Sequence, residues 1–119
     1  MAASHYRLDN IIGIIDRNRL QISGSTEDVM TLEPLADKWR AFGWEVVEVD
    51  GHDMAALIEA FSSAPRTAGK PTLVIANTVK GKGVSFAENV PHWHHHVPSD
   101  AELAQAVAEL NERIRELSI

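Results

Sequence analysis

The sequence has 119 residues, a length that suits one domain, and 45% of them are hydrophobic while 24% are charged. It contains no cysteine, which excludes disulfides, thiolate metal sites and cysteine nucleophiles. A net charge of -6 argues against nucleic acid and anionic membranes as partners. No stretch approaches the roughly 18 apolar residues that span a bilayer, and Met1 to Asn10 lack the layout of a signal peptide, so we expect a cytoplasmic protein.

Three strands are predicted from the apolar runs. Ile11–Ile15 is a continuous run of mostly β-branched residues, which is typical of a strand buried on both faces of a parallel sheet. Trp44–Val49 is the second predicted strand, and Thr72–Thr78 is the third. A strand like Ile11–Ile15 belongs to a parallel sheet.

Helices are predicted where apolar residues recur three or four positions apart. The predicted helices are Leu32–Phe42, Met54–Phe61 and Leu103–Leu117. Their predicted N-terminal caps are Thr31, Asp53 and the Ser99–Glu102 capping box. Met1 to Leu8 are predicted to form the tail of a further helix.

Strands that alternate with helices require crossover connections, which predicts an α/β fold with a parallel sheet and helices on both faces. Three strands are few for such a sheet, so we expect an incomplete fold that is completed by upstream chain or by a partner. Residues 1–119 are treated as one partial domain. The residues predicted to be buried are Ile12, Ile14, Leu35, Trp39, Val47, Ile58, Phe61, Leu73, Ile75, Val107 and Leu110.

Polar residues follow each predicted strand, at the edge where open parallel sheets bind ligands. These segments begin at Asp16, at Asp50 and at Thr78. The third segment opens a long stretch without clear periodicity, and stretches of this length in compact domains are usually functional or disordered. Its glycine-flanked Lys80 and Lys82 are candidate phosphate contacts, and a solvated loop is the alternative.

The segment Asp16-Arg17-Asn18-Arg19-Leu20-Gln21-Ile22-Ser23-Gly24 resembles the second half of the thiamine-diphosphate motif of transketolases. The resemblance continues, in order and at plausible spacing, through Leu35–Trp44, Val49–Asp53, Lys70–Leu73, Lys80–Gly83 and Trp93-His94 with Pro98. It covers nearly the whole chain. It is closest to the bacterial and archaeal type that is encoded as separate N-terminal and C-terminal sections. It implies an enzyme of carbohydrate metabolism, such as the pentose phosphate reactions, that transfers a two-carbon ketol unit between sugar phosphates.

The resemblance also implies roles for four residues. The Asn18 side-chain oxygen and the Leu20 backbone carbonyl would be ligands of Mg²⁺, which prefers oxygen and bridges protein groups to a diphosphate. Ile22 would pack against the rings of thiamine diphosphate. His94 would face the substrate and help with proton transfer or hydroxyl orientation. The alternative for Asn18 is an ordinary turn residue that bonds backbone groups.

The family pattern exposes a missing part. Its motif opens with Gly-Asp-Gly about one helix upstream, where an Asp supplies the third protein ligand to magnesium, and this sequence contains no Gly-Asp-Gly. The second half of the active site would come from a C-terminal section or a second subunit. We therefore interpret the chain as the downstream part of the domain, expect it to oligomerise or bind a partner, and expect it to be inactive by itself.

Three further possibilities stay open at this point. One is a fragment of the related deoxyxylulose-phosphate-type synthase, which condenses pyruvate with glyceraldehyde phosphate. Another is a cofactor-free orphan domain whose role is only association. The third concerns His92, His94, His95 and His96, which crowd one loop and could bind a metal ion. His95-His96 stand where relatives typically have Gly-Lys after the tryptophan-adjacent histidine, His94.

Overall fold

A computed structural model describes residues 1–117, so positions 118 and 119 of the expected domain lie outside the described residues. The elements are α1 (Ala2–His5), β1 (Ile12–Arg17), β2 (Leu20–Gln21), β3 (Gly24–Ser25), α2 (Thr26–Val29), α3 (Leu35–Ala41), β4 (Glu45–Asp50), α4 (Met54–Ser62), β5 (Thr72–Asn77), a 3-10 helix (Pro91–His94) and α5 (Asp100–Leu117). No helix in the described part of the chain is both long and apolar enough to cross a membrane.

Strand β5 is the centre of a three-stranded sheet with the order β1-β5-β4, and both of its pairings are parallel. This confirms the predicted α/β class with a parallel sheet and helices. Strand β1 continues to Arg17, two residues beyond the predicted Ile11–Ile15 run. Pairing with β5 continues there, because Asp16 lies opposite Ala76 and Arg17 opposite Asn77. The apolar run therefore predicted a strand that ends too early.

Helix α3 begins at Leu35 instead of Leu32, and Pro34 is its N-cap residue. The Leu35 N–H donates a hydrogen bond of 2.8 Å to Glu33 Oε2, so Glu33 provides the cap that was predicted for Thr31. A proline disfavours helical conformation in the residue before it, which prevents the helix from starting earlier.

The other two predicted N-terminal caps are confirmed, although α5 begins at Asp100, three residues before the predicted Leu103. The Asp53 carboxylate accepts a hydrogen bond of 3.0 Å from the Ala56 N–H at the start of α4. Ser99 donates from its N–H and its hydroxyl to Glu102 Oε2, both at 2.7 Å, and these bonds form the capping box before α5. The predicted tail of a helix near the first residue is α1.

The described chain divides into two compact units. Unit 1 consists of Met1–Asn18 and Thr31–Thr78, and it contains the three-stranded sheet with α1, α3 and α4. Unit 2 consists of Arg19–Met30 and the chain from Val79 onward. It contains the β2–β3 hairpin, α2, the 3-10 helix and α5. The expectation of a single partial domain over residues 1–119 stays a prediction.

The core of unit 1 lies along β5, whose first five residues are all buried. Leu73, Val74 and Ile75 are at most 2% exposed, and Ala60 of α4 is 1% exposed. Burial is thus confirmed for Leu73 and Ile75. Apolar surface removed from water is the main favourable term in folding, so β5 contributes most to the stability of this unit.

Five other residues predicted to be buried are exposed, which corrects the sequence prediction. They are Ile12, Ile14, Ile58, Val107 and Leu110. A further four are half-buried: Leu35, Trp39, Val47 and Phe61. Side chains alternate along β1, and its Ile12 and Ile14 share one face that the described residues leave open. Periodicity identifies the apolar side of an element, but it does not show whether anything covers that side.

We expect Leu73→Ala to lower the free energy of unfolding by about 2–5 kcal/mol, because it leaves a cavity at a position that is 2% exposed. Leu110→Ala is the matched control, since the same atoms are removed from a side chain that is 42% exposed. Urea unfolding followed by circular dichroism measures both. Equal losses in the two variants would contradict the assignment of β5 as the core.

Candidate functional site

The carboxyl ends of the three parallel strands lie side by side along one edge of the sheet in unit 1. Strand β1 ends at Arg17, β5 at Asn77 and β4 at Asp50, and the three ends are paired in register. The Thr78 hydroxyl donates a hydrogen bond to the Asp16 carboxylate, which ties the first residue after β5 to the end of β1. The predicted polar edge is therefore formed, and it is internally hydrogen-bonded.

The turn after β4 is shaped by close packing at this edge. The Gly51 N–H donates to the Asn77 carbonyl at 2.7 Å, and the His52 N–H donates to the Asp50 carboxylate at 2.9 Å. A Cβ on Gly51 would lie 2.4 Å from Thr78 Cγ2, so only glycine fits. These contacts give the Asp-Gly-His turn a structural role.

Arg17 is a buried cation at the same edge, and no sequence pattern predicted a role for it. Its side chain is 5% exposed, and its Nη2 and Nε atoms lie 2.8 and 3.2 Å from Glu33 Oε1. The other oxygen of Glu33 caps α3 through Leu35. One carboxylate thus links the end of β1 to the start of α3. An arginine shortly after an apolar run could have indicated a buried charge. Its partner could not be identified from the sequence, because Glu33 lies 16 positions away.

Asn18 directly follows β1 in unit 1, where its side chain is half-buried. Unit 2 begins at Arg19, which has a φ of 63°, a left-handed conformation that is uncommon for a residue other than glycine. The Arg19 carbonyl accepts a hydrogen bond of 3.0 Å from the Thr26 N–H. This reversal starts the hairpin that carries Leu20.

Leu20 and Ile22 lie on the β2–β3 hairpin of unit 2. Leu20 is half-buried and pairs with Ser25, while Ile22 occupies the turn and is 63% exposed. Strand β2 contacts the 3-10 helix that carries His94, whose side chain is exposed. Unit 2 therefore brings the strand of Leu20 and the helix of His94 together, although the two residues are far apart in sequence.

The long segment over residues 79–98 is fixed by carboxylates. The Gly83 N–H donates to Glu88 Oε1 at 2.8 Å, and the Lys82 Nζ lies 3.7 Å from the same oxygen. The Gly83 hydrogen bond, with Lys82 nearby, holds the pKa of Glu88 below its ordinary value. The Lys82 ammonium, a candidate phosphate contact in the sequence, is thus paired with a carboxylate.

Two of the expected magnesium ligands have suitable chemistry. The Asn18 amide oxygen and the Leu20 carbonyl are neutral oxygen donors, which Mg²⁺ accepts as part of a set of about six. The described residues contain no group of three His, Cys, Asp or Glu side chains placed to hold a metal ion. The donors present therefore fit one part of a magnesium site, whose remaining oxygens would come from other groups.

We expect Glu33→Gln to lower the free energy of unfolding by about 1–2 kcal/mol, because it weakens the partner of a buried guanidinium. Half of the Glu33 side chain is exposed, so solvent screening keeps the loss moderate. The control is Asp37→Asn, which removes an exposed partner of Arg40 and should cost less than the Glu33 change. Urea unfolding at neutral pH measures the free energy of unfolding of both variants. A larger loss in Asp37→Asn than in Glu33→Gln would contradict the stabilising role of Glu33.

A pH dependence follows from Glu109, whose carboxylate accepts hydrogen bonds from the hydroxyl and the N–H of Ser85 at 2.6 and 2.7 Å. These bonds lower its pKa below the ordinary 4.5. The resulting stability is complete above pH 4.5 and is lost as the pH falls through the lower folded-state pKa. We expect the free energy of unfolding of Glu109→Gln to depend less on pH below 4.5 than that of the unchanged chain. Glu112→Gln on the same helix is the control and should keep the pH dependence of the unchanged chain. The same pH dependence in Glu109→Gln would contradict the expectation.

The sequence family described as "Transketolase, thiamine diphosphate binding domain" matches residues 1–113. One subunit of an apulose-4-phosphate transketolase from Phocaeicola vulgatus is 52% identical over 117 residues, which are 98% of this chain and 42% of that protein. One subunit of a 6-deoxy-6-sulfo-D-fructose transketolase from a Clostridium species is 44% identical over 92% of this chain and 40% of its own length. The chain thus spans less than half the length of these relatives.

Solved structures agree with the sequence relatives. A transketolase from Pichia stipitis in complex with sedoheptulose-7-phosphate superposes with a TM-score of 0.83 at 30% identity, over 92% of this chain and 16% of that one. A transketolase from Campylobacter jejuni gives a TM-score of 0.81 at 30% identity, over 92% of this chain and 17% of the other. With its parallel sheet and its match over residues 1–113, the chain belongs to the transketolase thiamine diphosphate-binding domain family.

Proposed function

We propose that this chain supplies one part of a thiamine diphosphate-dependent transketolase site, which transfers a two-carbon ketol unit between sugar phosphates. The observation that carries the proposal is the family match over residues 1–113. The position of Asn18 immediately after β1, beside the carboxyl edge where open parallel sheets bind ligands, supports it. The relatives reported above are transketolases, which favours ketol transfer over the pyruvate-condensing alternative.

A partner chain is part of the proposal. Two of the relatives are named as transketolase subunits, and this chain covers 42% and 40% of their lengths. The face of β1 that carries Ile12 and Ile14 is apolar, and both side chains are open to solvent in the described residues. Burying such surface is favourable, so we expect this chain to act in an oligomer with a C-terminal section or a second subunit.

The proposed roles of the four site residues follow the family resemblance. Asn18 and Leu20 offer oxygens to Mg²⁺, and the exposed side chain of Ile22 offers apolar surface to the thiamine rings. Thiamine diphosphate, when bound, supplies the carbanion chemistry of ketol transfer, while the protein supplies position and electrostatics. His94 has an exposed imidazole that can orient a substrate hydroxyl or transfer a proton.

We propose a substrate class for this chain, an anionic ketose. The names of the two relatives contain a phosphate in one and a sulfo group in the other, and both groups are negatively charged. A sugar phosphate is the substrate class that we propose for this chain. Charged groups enter a hydrocarbon layer only at high cost, so such substrates stay within one compartment, and we propose that the reaction is cytoplasmic.

A second candidate function is association without cofactor. The observation that favours it is the apolar face of β1, where Ile12 and Ile14 are 41% and 62% exposed. In this reading the exposed apolar side chains would serve a binding surface. The two candidates differ in whether Asn18 contributes to affinity for the cofactor.

We expect the chain alone to bind thiamine diphosphate weakly in the presence of Mg²⁺ and to show no ketol transfer, because a charged ligand of the metal is lacking. A chimera that adds the unmatched part of the Phocaeicola vulgatus relative, mixed with a transketolase C-terminal section, should bind tightly and be active. Asn18→Ala in the chimera should weaken Mg²⁺-dependent binding by about 10-fold or more, since even outer-shell changes reach this size. Titration calorimetry measures the affinity.

Asn111→Ala is the control, because Asn111 is an exposed amide on α5. It should leave the affinity of the chimera unchanged. If Asn18→Ala binds the cofactor as tightly as the control, the proposed ligand role is wrong. If the chain alone binds tightly with Mg²⁺, another carboxylate, such as Asp16, completes the site and the chain is not a partial one.

A further inference from the structure

Two imidazoles meet at the 3-10 helix of unit 2 and the residues just after it. His92 Nε2 lies 3.2 Å from His96 Nδ1, and the ring centroids are 4.8 Å apart. Ring nitrogens at this distance either share one proton or face a common cation. Neutral imidazole is the commonest protein ligand of transition metals, so the pair has the chemistry of a metal site.

The separation of the two nitrogens matches one coordination geometry. Two bonds of about 2.05 Å at the tetrahedral angle place imidazole nitrogens about 3.3 Å apart around Zn²⁺. We propose that His92 Nε2 and His96 Nδ1 together bind one Zn²⁺ ion. These residues are not among the proposed magnesium ligands, and the proposal is independent of the proposed function. The observed separation of 3.2 Å is close to this tetrahedral value.

A carboxylate stands behind one of the ligands, as is usual in histidine metal sites. His96 Nε2 lies 3.4 Å from Glu102 Oε2, so the ring nitrogen that does not face His92 has an acceptor of its own. The same Glu102 oxygen accepts hydrogen bonds from the N–H and the hydroxyl of Ser99, both at 2.7 Å, which hold the carboxylate in place. A carboxylate at Nε2 stabilises the tautomer that carries its proton there, which leaves the Nδ1 lone pair free for the metal.

The His96 ring is also held by an aromatic neighbour. Trp93 contacts it edge to face, with centroids 4.5 Å apart and planes at 87°, and Trp93 itself packs on Phe86. The described residues bring no third His, Cys, Asp or Glu side chain into a ready-made metal group. The two remaining positions of a tetrahedral ion would then be filled by water, so the site is open.

The test is a titration of the chain with ZnCl2 at pH 7.5, in competition with a chromophoric chelator. We expect one Zn²⁺ per chain, with affinity reduced at least 10-fold by His92→Ala and by His96→Ala. Glu102→Gln should reduce it about 10-fold, because outer-shell partners of ligating histidines typically contribute 10–100-fold. Glutamine keeps the capping box, so Glu102→Gln removes the charge without removing the helix cap.

His95→Ala is the matched control, since it removes an exposed imidazole from the same segment. Its zinc affinity should equal that of the unchanged chain, and circular dichroism checks that every variant is folded. Imidazole nitrogen NMR gives a second readout: zinc should shift His92 Nε2 and His96 Nδ1 and leave His96 protonated at Nε2. Failure of zinc to bind, or an equal loss in His95→Ala and His92→Ala, would overturn the assignment, whatever the cofactor titration shows.

Discussion

Strand β5 holds unit 1 together because both β1 and β4 pair with it along its whole length. Its first five residues are buried, and the side chains of Leu73, Val74 and Ile75 have almost no contact with solvent. This burial provides the hydrophobic stabilisation, and the parallel pairing then brings three strand ends to one edge. The polar groups at that edge depend on β5 for their placement.

The carboxyl edge of the sheet is held rigid by hydrogen bonds and an ion pair. Arg17, Asp16 and Asp50 are each engaged by contacts within unit 1, through Glu33, Thr78 and the His52 backbone. The contacts of Asp16 and Arg17 fix the chain immediately before Asn18. A side chain held next to a rigid element keeps its geometry, so the ligand role proposed for Asn18 would carry little entropic cost on binding.

Unit 2 is organised by carboxylates rather than by a large apolar core. Glu88, Glu102 and Glu109 each accept N–H or O–H donors from residues 83–99, and these bonds lower the pKa of all three. Hydrogen bonds to charged acceptors are stronger than neutral ones, so a segment without periodic apolar residues can still be ordered. The helix that carries His94 and the proposed zinc ligands lie in this segment.

The sequence by itself determined the α/β class, the three parallel strands, the caps of α4 and α5, and the family, because apolar period, capping residues and ordered motifs are local properties of the chain. It did not determine which apolar faces are covered: Ile14 and Leu110 match their patterns yet are exposed. The Arg17–Glu33 pair and the contact between β2 and the 3-10 helix were decided by tertiary structure. Each joins residues that are distant in sequence, and local conformational preferences do not determine which distant residues come into contact.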